Sequence, residues 1–233
     1  LTPEQLAQST FLQNQVKKQV GEEYTELFKL LPDLAGFTKP RTYLVLFLNN
    51  TELRPGGGFI GSYAVVRLDK GKSTVLDVKG TEVLDKAANK ANLLDPPWEL
   101  RQHLGVERWY FRDSNWSPDF AQGAQLALDF YKREQGVAAT DIDTVVGITT
   151  QVLVELLRLT GPVVVEGMEF TAGNVIEKLE YEVEYGFAKR GIRFESRKQI
   201  IETLTHELLR RLSALALTNL KTYGEVVASL GRE

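Results

Sequence analysis

Three groups of residues have the types and spacing to hold an anion. The first is Asn49-Asn50-Thr51-Glu52-Leu53-Arg54-Pro55-Gly56-Gly57-Gly58-Phe59-Ile60-Gly61-Ser62. Consecutive glycines let the backbone aim its N–H groups at one point, which can make an anion-binding concavity. An arginine beside such a nest, here Arg54, suits a phosphate. Read without a ligand, the same stretch is a flexible hairpin loop, although its polar cluster is long for a simple turn. The second group is Trp109-Tyr110-Phe111-Arg112-Asp113-Ser114-Asn115-Trp116-Ser117-Pro118-Asp119-Phe120, where aromatic and charged residues alternate densely. A helix starts at Ser117-Pro118-Asp119, and a helix N-terminus can receive an anion. The competing reading is that Asp113 and Asn115 cap turns while the tryptophans fill the core. The third group is Arg193-Phe194-Glu195-Ser196-Arg197-Lys198-Gln199. Arg193 precedes the last long helix, and Arg197 and Gln199 fall in its first turn. Cations there oppose the helix macrodipole, so their presence points to an anionic ligand. On a solvated face they would instead pair with Glu195 or Glu202.

Composition narrows the chemistry. The chain has 233 residues, no cysteine, two histidines and a net charge of −3. Disulfides, thiolate metal sites and a cysteine nucleophile are excluded. The histidines are far apart, which excludes a His-rich metal site and gives a Ser-His-Asp triad poor support. The negative net charge argues against general nucleic-acid binding. No apolar run approaches the roughly 20 residues of a membrane span. The chain opens at Leu1, so the expectation is a trimmed or mature fragment whose signal or anchor would precede it.

The elements that must position these groups alternate between strand and helix. Thr2-Pro3 starts a long amphipathic helix, with Leu12, Val16, Val20, Tyr24 and Phe28 four residues apart, ending before Pro32. Strands are expected at 43–49, 59–68 and 73–79, the last two joined by a tight turn at Asp69 to Lys72. Residues 81–95 are less periodic and partly helical. A short helix follows Asp95-Pro96-Pro97 and ends at Gly105. A helix then runs from Ser117 to about Glu134, with a buried strand at 143–148. Thr149 and Thr150 cap a helix over 151–159 that Gly161-Pro162 stops, and a short strand covers 163–165. Helices are expected from Thr171 to about Tyr185, from near Glu195 and over 218–230, with a basic loop from Gly186 to Gly191. This alternation indicates an α/β fold with a mixed central sheet flanked by helices. The domain reading is an N-terminal helical extension, 1–38, and a single α/β domain, 39–233.

The motifs Asn49-Asn50-x-Glu52-Leu53-Arg54-Pro55-x-Gly57-Gly58-Phe59-Ile60-Gly61-Ser62 and Arg112-Asp113-x-Asn115-Trp116-Ser117-Pro118-Asp119-Phe120 resemble a bacterial domain family of uncharacterised function, usually membrane-anchored. More distantly, the order of elements from Tyr43 to Leu212 resembles the LytR-CpsA-Psr family. That family transfers glycopolymers from a polyprenyl diphosphate carrier to the cell wall. Ile142 to Ile148 looks like its central strand, Leu153 to Val165 like its helix and following turn, and Phe170-Thr171-Ala172 like the start of its next helix. Arg193-x-x-x-Arg197-x-Gln199-x-Ile201 is similar to its diphosphate-contacting stretch. The sequence departs from the pattern at two metal-holding acids. Ile60-Gly61-Ser62 and Val78-Lys79-Gly80 stand where that family has Arg-Ser-Asp and Pro-Arg-Asp.

The resemblance implies an extracytoplasmic domain, anchored to a membrane by a segment outside this sequence. It would bind a polyprenyl-diphosphate lipid or similar anionic glycolipid, with glycopolymer transfer to the cell envelope as its possible reaction. Arg54, Arg112, Arg193 and Arg197 would contact the diphosphate, with Asn115 and Gln199 as polar ligand contacts. Asp113 and Arg54 would be catalytic, and Asp113 and Asp119 would take the place of the missing acids around Mg2+. The alternative is a binding or scaffold module of an envelope assembly that performs no chemistry. Either way, the four arginines are expected to converge on one cleft.

Overall fold

The computed structural model describes residues 24–88 and 94–216, together with Gln13, Asn14 and Lys17. Most of the expected N-terminal helix and all of the expected 218–230 helix lie outside the described residues. Helix α1 spans Tyr24–Leu34 and runs through Pro32, where a stop was expected. Proline's missing N–H removes one i→i−4 bond from the last turn. The exit is closed by the Ala35 N–H on the Leu31 carbonyl (2.7 Å) and the Phe37 N–H on the Pro32 carbonyl (2.9 Å).

The sheet contains β1 (Arg41–Asn49), β2 (Phe59–Asp69), β3 (Lys72–Gly80) and β4 (Thr144–Thr149). Its order is β3-β2-β1-β4, antiparallel except for the β1–β4 pair. The mixed sheet expected from the sequence is therefore present, with 143–148 in it. Tight turn geometry at Lys70 and Gly71, both at positive φ, makes β2 and β3 neighbours. From Tyr43 to Leu48 β1 is an unbroken apolar run because both its faces are covered. Leu44, Leu46 and Leu48 face one core with Ile60, Tyr63, Phe111, Phe130 and Tyr131. Val45 and Phe47 face the other, with Ala64, Val66, Val78 and Leu209.

The crossover from β3 to β4 carries α2 (Thr81–Ala87), α3 (Trp98–Leu104), a 3-10 turn (Phe111–Asp113) and α4 (Phe120–Arg133). After β4 come α5 (Thr150–Thr160) and a hairpin of β5 (Val163–Val165) and β6 (Met168–Phe170), whose second strand the sequence reading lacked. Next are α6 (Val175–Tyr181), a π-helical turn (Glu182–Gly186), α7 (Phe187–Lys189), a 3-10 turn (Phe194–Ser196) and α8 (Gln199–Ala216). The expected basic loop at 186–191 thus begins as helix. A third core joins α5, the hairpin, α6 and α8 through Val154, Leu157, Phe170, Val175, Ile200 and Leu204.

Candidate functional site

Two loops meet at the end of β1 and β2. The Asn115 amide donates to the Gly58 carbonyl at 2.6 Å, and the Gly56 N–H donates to the Asn115 carbonyl at 3.1 Å. The approach is so close that a Cβ on Gly56 would stand 2.6 Å from the Asn115 carbonyl oxygen. Asn115 is therefore a buried pin between the two motifs. The expected glycine nest is corrected here. The N–H groups of Gly56, Gly57 and Phe59 already meet the carbonyls of Asn115, Arg54 and Glu52, so these three donors are taken up by the two loops. What this folding achieves is the placement of Arg54.

Phe111 is fully buried, edge-on to Tyr63 and against Tyr131, and it fixes the 3-10 turn whose next residues are Arg112 and Asp113. The Trp109 indole N–H donates to the Asp113 carbonyl at 2.9 Å. Asp113 then lies between two guanidinium groups, with Arg54 Nε 3.8 Å from Oδ1 and Arg112 Nε 3.9 Å from Oδ2. Burial pushes the Asp113 carboxyl up, and Arg112 and Arg54 oppose that shift. Arg54 is further held by Glu52 (3.0 Å), by the Leu53 carbonyl (2.9 Å) and over the Phe59 ring. Arg112 binds Asp85 of α2 through Nε at 2.9 Å, and its side chain stays 38% exposed. Behind Asp85 lies Glu134, which accepts the buried Phe111 N–H at 2.7 Å. Burial and the Glu134 charge push Asp85 up to about 9, and burial also raises Glu134.

A second cluster adjoins the first through α2. Glu82 and Asp85 are three residues apart on that helix, hence on one face. Glu82 pairs with Arg197 (3.2 Å) and Lys198 (2.8 Å), whose side chains are only 12% and 11% exposed. Lys198 Nζ also donates to the Gly61 carbonyl at 2.5 Å, and a Cβ on Gly80 would stand 2.6 Å from Lys198 Cδ. Arg197 stacks over the Phe194 ring at 3.8 Å. It precedes α8, where the sequence reading put it inside the first turn.

Arg54 and Arg112 are thus brought together on Asp113, and Arg197 reaches the same face of α2 one turn away. Among the described residues Arg193 joins neither cluster. It is exposed, and its carbonyl accepts the Ser196 N–H at 2.9 Å. Gln199 opens α8 and is exposed. Asp119 is the N-cap of α4, accepting the N–H groups of Ala121 (2.8 Å) and Gln122 (3.2 Å). The pair proposed from sequence for Mg2+ does not fit an ion. Asp113 is hemmed by two positive charges, and Asp119 Oδ1 is turned to the N–H groups that open its helix. Among the described residues no group of three or more His, Asp or Glu side chains is placed to hold a metal.

Residues 38–183 match the family described as "Protein of unknown function (DUF4012)". The chain belongs to that family. No curated protein and no solved structure matches it. The DUF4012 match takes in the whole first cluster and Glu82, whereas Arg193, Arg197, Lys198 and Gln199 lie beyond it.

Sequence reasoning missed Glu52, Glu82, Asp85, Glu134 and Lys198 as members of these clusters. Glu134 had a signal. A carboxylate at a helix C-terminus opposes the macrodipole, the mirror of the argument applied to Arg197. Glu82 and Asp85 carried only the helical spacing that puts them on one face.

Proposed function

We propose that this DUF4012 domain is an extracytoplasmic binding module for an anionic, diphosphate-bearing lipid, of the polyprenyl-diphosphate glycan class, in a bacterial envelope. The observation that carries the reading is Arg112. Its Nε is fixed on the buried Asp85 carboxylate at 2.9 Å while its side chain stays 38% exposed, and Arg54 flanks the neighbouring Asp113 carboxylate. A guanidinium held on one side and open on the other is preorganised for bidentate recognition of phosphate. The distant resemblance to LytR-CpsA-Psr proteins supports the ligand class. Lys198 bears on the mechanism. Its ammonium sits on the Gly61 carbonyl beside Gly80, in the two stretches where that resemblance has metal-holding acids. A fixed ammonium there favours metal-independent binding over metal-assisted transfer. No described helix is long and apolar enough to cross a membrane, so the anchoring segment of this reading lies outside the described residues.

Glycopolymer transfer is the second reading. Asp113 favours it, being a buried carboxyl with a raised proton affinity between two arginines, the kind of group that serves as a general base.

Calorimetry with farnesyl diphosphate, in EDTA and in magnesium, tests both. Binding is expected without metal. Arg112→Ala should weaken it about ten- to hundredfold, the loss of one charge-assisted contact of about 1.5–3 kcal/mol. Asp113→Asn should retain binding. Turnover of a lipid-linked glycan that Asp113→Asn abolishes would establish the transferase instead. A wild type silent at millimolar ligand would sink both.

A further inference from the structure

Four carboxyl groups surround two guanidinium groups in the first cluster: Glu52, Asp85, Asp113 and Glu134 around Arg54 and Arg112. Fully ionised, this cluster would meet an incoming anion with a surplus of negative charge. The innermost pair resolves the conflict. The Asp85 side chain is 4% exposed, and Glu134 is as deeply buried. Among the described residues no N–H or O–H donor makes a well-directed hydrogen bond to either Asp85 oxygen or to Glu134 Oε2, and the two carboxyls face each other. Two ionised carboxylates in that position would be like charges in contact, out of water. A proton between them supplies the missing donor. The charged groups facing the pair are Arg112 and Asp113 from the 3-10 turn, with Arg54 and Glu52 of the glycine loop beyond Asp113.

We propose that Asp85 and Glu134 are positioning residues that share a single proton, and that this proton sets the charge and orientation of Arg112, so that the site takes an anion when protonated and loses it when the proton leaves. The inference rests on the anion-binding reading and adds its regulation. Arg112 is the link, because Asp85 is the acid it leans on. With the pair protonated, Asp85 orients the guanidinium without neutralising it, and its outer edge is left to the ligand. With the pair fully ionised, Arg112 is drawn onto two carboxylates and the local charge turns more negative. Ligand binding and proton binding therefore favour each other, by linkage.

Two arms test this separately. The first needs no ligand. A group that holds its proton more tightly when folded contributes stability at low pH, and that contribution fades as pH rises toward the folded value, about 9 for Asp85. Wild type should therefore lose stability relative to Asp85→Asn from the carboxyl's unfolded value of 3.8 up to about pH 9, and level off above it. Infrared spectra at pH 7 should contain a protonated-carboxyl band that Asp85→Asn removes. Glu134→Gln repeats the measurement should the first variant fail to fold. Parallel stability curves in wild type and variants, with no such band, would overturn the shared proton.

The second arm titrates farnesyl diphosphate between pH 7 and 10. Affinity should be level near neutrality, then fall by up to about tenfold per pH unit above the pair's value. At pH 9, heats in two buffers of different ionisation enthalpy should reveal proton uptake. Asp85→Asn should flatten both responses while still binding. Wild-type binding without proton uptake would overturn the linkage. A wild type that binds no diphosphate at any pH would instead overturn the functional reading, leaving the shared proton to be decided by the first arm.

Discussion

The two clusters on α2 use the same chemistry in opposite order of burial. In the first, the acids are inside and a cation is outside: Asp85 and Asp113 are buried, and Arg112 reaches solvent. In the second, two cations are inside with one acid, and Glu82, Arg197 and Lys198 are all nearly closed off. A buried acid beneath an exposed arginine fixes a donor that a ligand can still use. A buried lysine and arginine that share a carboxylate have little left to offer. Their contacts bind the segment entering α8 to α2 and to the start of β2, which is a structural task. Charge count alone would rank the second cluster as the better anion site, and accessibility reverses that ranking.

Removing Glu82 should have the largest effect. Glu82→Ala leaves two buried cations without their carboxylate, and breaking a buried pair from one side costs about 3–5 kcal/mol. Denaturant unfolding at neutral pH measures it. Replacing Glu82 and Lys198 together with Leu and Met should recover part of the loss, since it deletes the charge as well as the partner. Burial raises Glu82, but Lys198 and Arg197 outweigh burial and hold it below its ordinary value near 4.5. Its contribution is therefore present above that value and is lost as pH falls below it. Asp85 runs the other way, so acid should loosen the second cluster while leaving the first protonated and intact. Equal losses from Glu82→Ala and Arg112→Ala would erase the distinction between the clusters.

The sheet was readable from the sequence because β1, β2 and β4 carry apolar runs and a tight turn joins β2 to β3, and β1 is apolar from Tyr43 to Leu48 because both its faces are covered. The arginines were readable as candidates because charges beside glycines, aromatics or helix starts are locally conspicuous. Their partners were not. Asp85 and Glu134 meet across a gap of 49 positions only once α2 and α4 are packed, and each alone reads as an ordinary helix acid. The same limit misassigned the glycine loop. Its three glycines suggest an anion nest, but where the N–H groups of Gly56 and Phe59 point depends on Asn115 and Glu52, which no local pattern specifies.

A smaller effect should come from the loop contact that builds the first cluster alone. Gly58 has a φ of +134°, and a Cβ there would lie 2.5 Å from the Asn49 carbonyl oxygen. Gly58→Ala should cost about 1–3 kcal/mol of stability as backbone strain. Because the displaced segment carries Arg54, farnesyl diphosphate affinity should fall as well. Glu82→Ala, measured where it remains folded, should leave that affinity near wild type. Affinity unchanged in Gly58→Ala would mean that Arg54 is not part of the binding surface.

The smallest effect tests where the first cluster ends. Asp119 lies six residues beyond Asp113, and the sequence suggested it as a second ligand for a metal. Its carboxylate instead takes two N–H groups at the start of α4, and its own N–H is held by the Ser117 hydroxyl at 3.1 Å. A cap and a metal ligand respond differently to the same pair of substitutions. Asp119→Ala removes the acceptor and should cost about 1 kcal/mol of stability, within the 0.5–2 kcal/mol usual for a lost N-cap. Asp119→Asn should restore most of it, because asparagine caps as well as aspartate. A metal ligand would not be rescued in this way, since the amide lacks the charge that hard divalent ions need. Neither variant should change farnesyl diphosphate affinity or make it respond to magnesium. If Asp119→Asn instead kept full stability but lost affinity, or lost a magnesium-dependent rise in melting temperature that wild type shows, Asp119 would belong to the binding surface. The first cluster would then extend to the start of α4, and the case against a metal at Asp113 would have to be reopened.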